Sequence, residues 1–408
     1  MILRHTLLTL TCFIACGLAL AESPADLHQQ ALVLDAHADI EIPGTPSRYA
    51  DADGSSRVSP AKMRAGQVDA VIATIAVGPG PRDAAGFLEA RATADAELRA
   101  IIERTEQADD DIILARDADA LLAAHRAGHI TYILGLQNAR IFGTDLTAID
   151  EFYTAGVRIF ALTHMGHNDF ADSSRPVYIG ELGRHEPDAE HGGLSPLGRD
   201  AVARLNQLGA VIDVSQLSRP ATLQVLELST APVIASHSNV QALSDVRRNL
   251  SDKEIDAIGE NGGVIHIAGF RGYLFDSNNP QLDRDIRAAR IAAGIQEDYD
   301  YPYELYWEIK DEQVQQAFIT AISTLLGPGH VNDMVKHINY IVQRIGIDHV
   351  GVGNDFNHGG GVAGYTNASG APALTAALVE EGYSAAEIRK IWSENFIRVW
   401  REAARKAL

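Results

Sequence analysis

The stretch LVLDAHADIEIP, residues 32–43, starts as a buried-looking strand and ends in two side chains that commonly bind metals, His37 and Asp39. An imidazole and a carboxylate suit a divalent ion such as zinc. The His-x-Asp pair is a weak signal on its own, because an aspartate after a strand often caps a helix and a single histidine there is more often a hydrogen-bonded structural residue. The chemistry therefore depends on whether other parts of the chain bring ligand-type residues to the same place.

Eight short apolar runs, rich in Val and Ile, recur along the chain. They are continuous rather than alternating, which favours strands covered on both faces, as in a parallel sheet. The runs span residues 31–37, 68–77, 130–137, 157–164, 210–216, 232–238, 263–269 and 349–355. Six of the eight close on polar residues, and these are His37 with Asp39, Gln137, His164, Gln216, His237 and Asp355.

Helical patterns separate most of these runs, at residues 83–108, 194–209, 250–263 and 384–408. The alternation predicts an α/β fold, a (β/α)8 TIM barrel of the metal-dependent hydrolase type. A barrel directs the carboxyl ends of all its strands to one mouth, where the active sites of this fold lie. The doubly wound open sheet is the alternative, but it usually carries a glycine-rich phosphate loop after its first strand, and this sequence has none.

The barrel would bring the six polar strand ends together at its mouth. Two carboxylates and several imidazoles there predict a divalent metal that activates water for hydrolysis. The remaining histidines need no such role. His266 lies inside its predicted strand and is interpreted as structural, and the loop histidines are compatible with a solvated position: His167, His185, His191 and His358.

The first 21 residues have the organisation of a cleaved secretory signal. The basic residues Arg4 and His5 precede an apolar run, and Ala19-Leu20-Ala21 forms an A-x-A cleavage site. The run is shorter than the roughly 20 residues that a bilayer span needs. We expect cleavage after Ala21 and a periplasmic or secreted protein, the alternative being a lipoprotein anchored at Cys16.

Residues 22–408 are predicted to form a single barrel domain with loop insertions at 165–193 and 270–335. The second insertion contains the aromatic and acidic stretch YDYPYELYWEIKDEQ, which could form a lid or an interface, so a homodimer is left open. The net charge of −20 argues against nucleic acid and against anionic membrane surfaces as partners. No further apolar stretch is long enough to predict a membrane span.

Six motifs together resemble the membrane dipeptidase (renal dipeptidase) family of metallopeptidases, which belongs to the amidohydrolase-like barrels. The resemblance covers nearly all of residues 22–408. It rests on LDAHADI, GVRIFALTH, HGGLSPLGRDAVARLNQLGAVIDVS, APVIASHSN, VRRNLSD and HINYIVQRIGIDHVGVGNDF.

The resemblance implies a centre of two zinc ions bridged by a glutamate and by a water or hydroxide. His37 and Asp39 match the pair that binds the first metal. Asp355 matches the acid that belongs to the same site and handles the proton of the water. His237 matches the last histidine ligand of the second metal.

The resemblance also implies a small peptide substrate and two residues that handle it. His164 matches a histidine that stabilises the developing oxyanion charge near the scissile carbonyl. Arg248 matches an arginine that binds the terminal carboxylate of the dipeptide, a pairing to which a guanidinium fork is suited.

Two departures from the family pattern affect the second metal. Gln137 stands where the family has its bridging glutamate, and Gln216 stands where it has a second-site histidine. An amide oxygen is a weaker zinc ligand, and a neutral bridge no longer screens the repulsion between two cations. We therefore expect one firmly bound Zn²⁺ and a second that is weak or absent, with Gln137 and Gln216 as further candidate ligands. The opposing interpretation is that both metals still bind.

Three functions remain open from the sequence. The first is a metallodipeptidase that hydrolyses dipeptides in the periplasm. The second is a dipeptidase-like enzyme that acts in maturation of a peptide natural product, because a branch of the family acts on a pyoverdine-type siderophore. The third is a non-catalytic binding protein, against which the retained first-site residues argue.

Overall fold

The computed structural model describes residues 22–407, except 46, 48, 108–110, 180–183, 296–308 and 310. The predicted signal, residues 1–21 with Cys16, lies outside the described residues, and so does most of the stretch 299–313. Among the described residues, no helix combines the length and the apolar character that crossing a bilayer requires.

Eight parallel strands form the barrel, so the predicted (β/α)8 architecture is confirmed. Each predicted run overlaps one of them. Numbered along the chain, the strands within the described residues are β1 Leu34–Asp39, β2 Ala70–Ala76, β3 Ile112–Leu114, β4 Ile130–Gln137, β5 Val157–Ala161, β6 Tyr178–Ile179, β7 Arg184–His185, β8 Val211–Asp213, β9 Ile234–Ala235, β10 Val264–Ile267 and β11 Val350–Val352.

The order of neighbouring barrel strands is β1-β2-β4-β5-β8-β9-β10-β11. The ring closes between the end of β1 and the residues that follow β11, where the Asp39 N–H donates to the Phe356 carbonyl at 3.0 Å. This closure places the His37–Asp39 segment directly beside the segment that carries Asp355.

Three short strands have no counterpart among the predicted runs. β3 pairs in parallel with β4 outside the barrel path, and β6 and β7 form a small antiparallel hairpin within the 165–193 segment. β3 is only three residues long, and its central residue Ile113 is exposed. A segment this short carries no periodic apolar signal, which explains why the sequence does not reveal it.

Helices cover the outside of the barrel. α6 has the predicted boundaries, because the Ser195 side chain accepts from the Gly198 N–H, Pro196 opens the helix and Gly209 ends it at φ 69°. The helices are α1 Pro24–Gln30, α2 Pro60–Ala65, α3 Ala84–Thr105, α4 Ala118–Ala127, α5 Thr147–Ala155, α6 Pro196–Leu208, α7 Arg219–Leu228, α8 Asp252–Asn261, α9 Pro280–Ala292, α10 Glu312–Leu326, α11 Val331–Ile345, α12 Ala371–Glu381, α13 Ala385–Arg389 and α14 Asn395–Arg405.

The closing segment 384–408 is not the single regular helix that the sequence predicts. A π-helical turn, Lys390–Glu394, separates α13 from α14. The Asn395 side chain donates to the carbonyls of Ile347 and Val350, so α14 is fixed against the entry to β11. The wider turn brings both Trp392 and the first residues of α14 onto the buried side.

α14 closes one end of the barrel. Its Phe396 and Trp400 side chains belong to a buried cluster that includes Leu34, Val211 and Val264, the first residues of their strands. The amino-terminal end of the barrel is therefore packed with apolar side chains. The polar strand ends lie at the opposite, carboxyl-terminal end.

Candidate metal centre and active site

The structure brings predicted ligands of both metals together at the carboxyl ends of β1, β9 and β11. His37, His237 and Asp355 offer ligand atoms that lie within 4.8 Å of one another. The imidazoles of His37 and His237 are stacked, with ring centroids 3.8 Å apart. His37 Nε2 lies 3.3 Å from Asp39 Oδ1 and 3.9 Å from Asp355 Oδ1.

These donor atoms fit a divalent metal. His37 Nε2 and Asp39 Oδ1 are buried, and neither makes a hydrogen bond to any residue that the structure describes. Buried polar atoms are normally satisfied, so an unsatisfied nitrogen and oxygen that face each other are suited to binding a cation. The donor set of imidazole and carboxylate is one that zinc accepts.

Two residues of the site have a left-handed backbone, Asp355 at φ 61° and Gln216 at φ 69°. Such conformations are uncommon for residues other than glycine and cost free energy. At Asp355 a tight turn maintains the conformation, because its carbonyl accepts from the Gly360 N–H at 2.9 Å. The strand end is thereby bent so that the carboxylate reaches the other ligands.

Gln137 and Gln216 both face His237 from the expected second-metal side. Their Nε2 atoms lie 3.3 Å and 3.2 Å from His237 Nε2. The nitrogen that a second metal would use is therefore the acceptor of two amide donors. The Gln216 Oε1 atom is buried and has no hydrogen-bond partner among the described residues.

The other nitrogen of His237 is held by a chain of hydrogen bonds. His237 Nδ1 lies 2.7 Å from Ser236 Oγ, and this hydroxyl donates to Asp213 Oδ2 at 2.5 Å. Since Nε2 accepts from the amides, the ring proton is on Nδ1 and is donated to Ser236. The chain fixes both the tautomer and the orientation of the His237 imidazole.

Burial and neighbouring charges together set the ionisation of the site residues. It lowers the pKa of His237 well below the usual value, and the nearby His37 adds to this shift, so the ring is neutral. Burial also raises the pKa of Asp355 to about 6, although His358 and His37 oppose the shift. At Asp39 burial is outweighed by the attraction of His358 and by its hydrogen bond, and the pKa lies well below its ordinary range.

His164 and Arg248 border this cluster. His164 is buried, and neither ring nitrogen has a hydrogen-bond partner within the described part of the chain. Burial and the positive charge of neighbouring groups, His358 first among them, lower its pKa well below the usual value, so the imidazole is neutral. Arg248 Nη2 donates to the His237 carbonyl at 2.7 Å, which fixes the guanidinium beside the metal ligands.

His358 is a site residue that sequence reasoning missed. Its Nδ1 lies 2.7 Å from Asp39 Oδ2, and its ring meets His164 edge-on at a centroid distance of 4.9 Å. The sequence feature that could have identified His358 is its position three residues after Asp355. Two other histidines are structural: His266 is buried with Nδ1 3.0 Å from the Ala235 carbonyl, as expected, and His167 is buried rather than solvated.

The protein-family model of the membrane dipeptidases (Peptidase family M19) matches residues 22–408 of this chain. The chain belongs to the membrane dipeptidase family. It is similar to the crystal structure of the probable dipeptidase PvdM from Pseudomonas aeruginosa, with 35% identity, a TM-score of 0.83, and coverage of 94% of this chain and 98% of that chain. The two glutamines therefore lie in a membrane dipeptidase barrel whose expected first-site ligands are all present.

A more distant solved structure shares the fold. A metallo peptidase from Rhodobacter sphaeroides, liganded with a phosphinate mimic of the dipeptide L-Ala-D-Ala, is 22% identical, with a TM-score of 0.69 and coverage of 91% of this chain and 99% of that chain. Among curated relatives, dipeptidase tcpJ of Claviceps purpurea is 28% identical over 300 residues, which are 72% of this chain and 56% of the relative. The chain thus spans little more than half the length of the curated relatives it matches.

Proposed function

We propose that the chain is a metal-dependent dipeptidase that holds one divalent metal, zinc by preference, firmly in the first site. The observation that carries the proposal is the convergence of His37, Asp39 and Asp355, with His237 stacked on His37, at the barrel mouth. His37, Asp39 and Asp355 would hold the metal. When bound, such a metal lowers the pKa of a water and polarises a carbonyl oxygen.

The protein groups around the metal have separate tasks. Asp355 receives the proton of the attacking water, a role suited to a buried carboxylate whose pKa is raised to about 6. His164 is neutral and has no hydrogen-bond partner among the described residues, so it is free to donate to the oxyanion that develops on the scissile carbonyl. Arg248 binds the terminal carboxylate of the substrate.

The proposal of a single firm site rests on the two glutamines. A second metal could use His237 Nε2 only after both amide donors had turned away from it. Neither glutamine would supply the negative charge that two adjacent cations need. A second ion would therefore bind weakly or not at all.

Maturation of a peptide natural product, such as a pyoverdine-type siderophore, is the second candidate function. The altered second site supports it, and so does a polar cavity of about 730 Å³ between α9 and the barrel mouth, a volume that suits a ligand larger than a dipeptide. The lining includes Ser173, Arg219 and Asp283. A non-catalytic binding protein is the third candidate, and the intact first-site donors speak against it.

We also propose that the protein acts in the periplasm or outside the cell, after removal of residues 1–21. The support is the signal-like organisation of these residues and the position of both cysteines within them. Detection of a mature protein that begins near Glu22 in a periplasmic extract would test this proposal, whereas an intact amino terminus in the cytoplasm would contradict it.

The deciding experiment combines metal content per chain with turnover. Protein purified without added metal should contain one zinc and should hydrolyse members of a dipeptide panel, and the Asp355→Asn variant should be inactive while keeping its circular dichroism spectrum. One zinc without dipeptide turnover would favour the natural-product candidate. A protein that takes up no metal even when zinc is supplied would leave only the binding protein.

A further inference from the structure

The carboxylate of Asp39 presents its two oxygens to different partners. Oδ1 faces His37 Nε2 at 3.3 Å, is buried and has no hydrogen-bond partner among the described residues. Oδ2 lies 2.7 Å from His358 Nδ1. A carboxylate oxygen accepts hydrogen bonds, so at this distance His358 Nδ1 carries the proton and donates it. His358 thus determines which oxygen of Asp39 is turned toward the metal ligands.

The turn that follows β11 positions His358. The Asp355 carbonyl accepts from the N–H groups of both His358 and Gly360, at 3.3 Å and 2.9 Å. The Asn357 side chain donates to the Asp39 carbonyl at 2.8 Å, which ties the turn to the end of β1. The same turn therefore supplies Asp355 and brings His358 to the carboxylate of Asp39.

Two ring contacts hold the imidazole of His358 in place. The Tyr49 ring stacks on one side at a centroid distance of 5.1 Å, and His164 meets the ring edge-on at 4.9 Å. The side chain is about 28% exposed, so it borders the open mouth of the barrel rather than the apolar core. Its substitution is consequently not expected to disturb the packing of the fold.

We propose that His358 is a positioning residue of the metal centre, which holds Asp39 with Oδ1 turned toward His37 Nε2, the orientation in which the carboxylate would bind a metal. The proposal rests on the proposed function only in requiring that the first site binds a divalent metal. Outer hydrogen-bond partners of metal ligands typically contribute about 10- to 100-fold to metal affinity. The loss of the His358 donor should weaken metal binding by a factor in this range.

Two variants distinguish the contribution of the His358 N–H donor from that of its aromatic ring. His358→Phe keeps an aromatic ring for Tyr49 and His164 but removes the N–H. His358→Asn loses the ring but keeps an amide N–H close to the position of Nδ1. Zn²⁺ affinity, measured on the full chain by competition with a chromophoric chelator, should fall about 10- to 100-fold in His358→Phe and should be largely restored in His358→Asn. The absorption spectrum of the Co²⁺-loaded protein should differ from that of the wild type more in His358→Phe than in His358→Asn.

The outcomes distinguish this inference from the proposed function. Wild-type affinity in His358→Phe, or equal losses in both variants, would overturn the role of the N–H donor even if the enzyme hydrolyses dipeptides. A selective loss in His358→Phe would support the inference even if no dipeptide is cleaved. Both conclusions require that the metal-free variants melt at the same temperature as the metal-free wild type. A wild type that binds no zinc would overturn this inference and the proposed function alike.

Discussion

The Nε2 atoms of His237 and Gln216 lie 3.2 Å apart, so the amide donates to the ring nitrogen that a second metal would need. Gln137 approaches the same nitrogen at 3.3 Å. On the other side, Ser236 holds Nδ1, and the ring therefore has a fixed neutral tautomer. Hydrogen bonds thus engage both ring nitrogens of His237, the residue that the resemblance assigns to the second metal.

Restoring the expected ligands should restore the second metal. The double substitution Gln137→Glu with Gln216→His replaces two amide donors by a carboxylate and an imidazole around His237. Zinc content measured by elemental mass spectrometry should rise from one to two per chain, because the added negative charge offsets the repulsion between the cations.

Each single substitution provides a control for that experiment. Gln216→His alone adds a ligand without the charge of a bridge and should leave the second ion weak. Two tightly held zinc ions in the wild type would show instead that the glutamines already act as ligands and would contradict the single-site proposal.

Arg248→Lys should impair substrates with a free terminal carboxylate. Lysine keeps the positive charge but cannot form a bidentate pair, so kcat/KM should fall about 10- to 100-fold, corresponding to roughly 1.5–3 kcal/mol for hydrogen bonds to a charged group. A dipeptide amide, which lacks the carboxylate, should be much less affected. Steady-state kinetics with the two matched substrates measures the difference.

The neighbouring arginine offers a matched control. Arg247 is exposed and pairs with Asp188 at 2.7 Å, so Arg247→Lys should leave both substrates unchanged. An equal loss for the free and amidated dipeptides in Arg248→Lys would indicate that Arg248 acts through its bond to the His237 carbonyl rather than on the substrate.

Acid should destabilise the fold partly through His337. Burial lowers the pKa of His337 to about 3, and its Nδ1 accepts from the Val240 N–H at 3.0 Å, which requires the neutral ring. The pKa of a histidine in the unfolded chain is near 6.5. Between this pH and about 3, His337 is therefore protonated in the unfolded chain but neutral in the folded chain. The free energy of unfolding should therefore fall as the pH decreases from about 6.5 toward 3, by at most about 1.4 kcal/mol per pH unit from this group.

Urea unfolding at a series of pH values measures this slope. His337→Asn retains an acceptor for the Val240 N–H but cannot be protonated, so the variant should lose less stability between pH 6.5 and pH 4. Identical slopes for the two proteins would show that other groups carry the acid sensitivity, the buried His266 with its pKa of about 4 being the next to examine.

Asp172 should be a stability determinant of the 165–193 segment. Its buried carboxylate accepts from the N–H groups of Glu190, His191 and Gly193 at 2.8–3.2 Å. Asp172→Ala would leave these donors without their acceptor and should cost about 3 kcal/mol in the free energy of unfolding. Asp200→Ala, at an exposed position of α6, should change it by less than about 0.5 kcal/mol in the same denaturation assay.

The barrel could be predicted from local sequence because its determinants are local. Continuous Val- and Ile-rich runs mark strands buried on both faces, and a serine followed by proline marks the start of α6 at Ser195. The strand ends also carry their chemistry in residue type, so His37, Asp39, His237 and Asp355 were candidates before any coordinates. Two elements could not be predicted in this way. β3 is too short to show a periodic pattern, and the π-helical turn at Lys390–Glu394 depends on the contacts of Asn395 with the barrel.

The sequence by itself determined which residue types stand at the ends of the strands and that two of them are glutamines. Only the tertiary structure decided what the glutamines do and that His358 belongs to the site. Gln137 and Gln216 are separated by many residues from His237, and His358 by many more from Asp39, so no sequence spacing encodes these contacts. They arise because barrel closure joins the first strand to the last, and because the left-handed backbone at Asp355 folds the following turn back over the mouth.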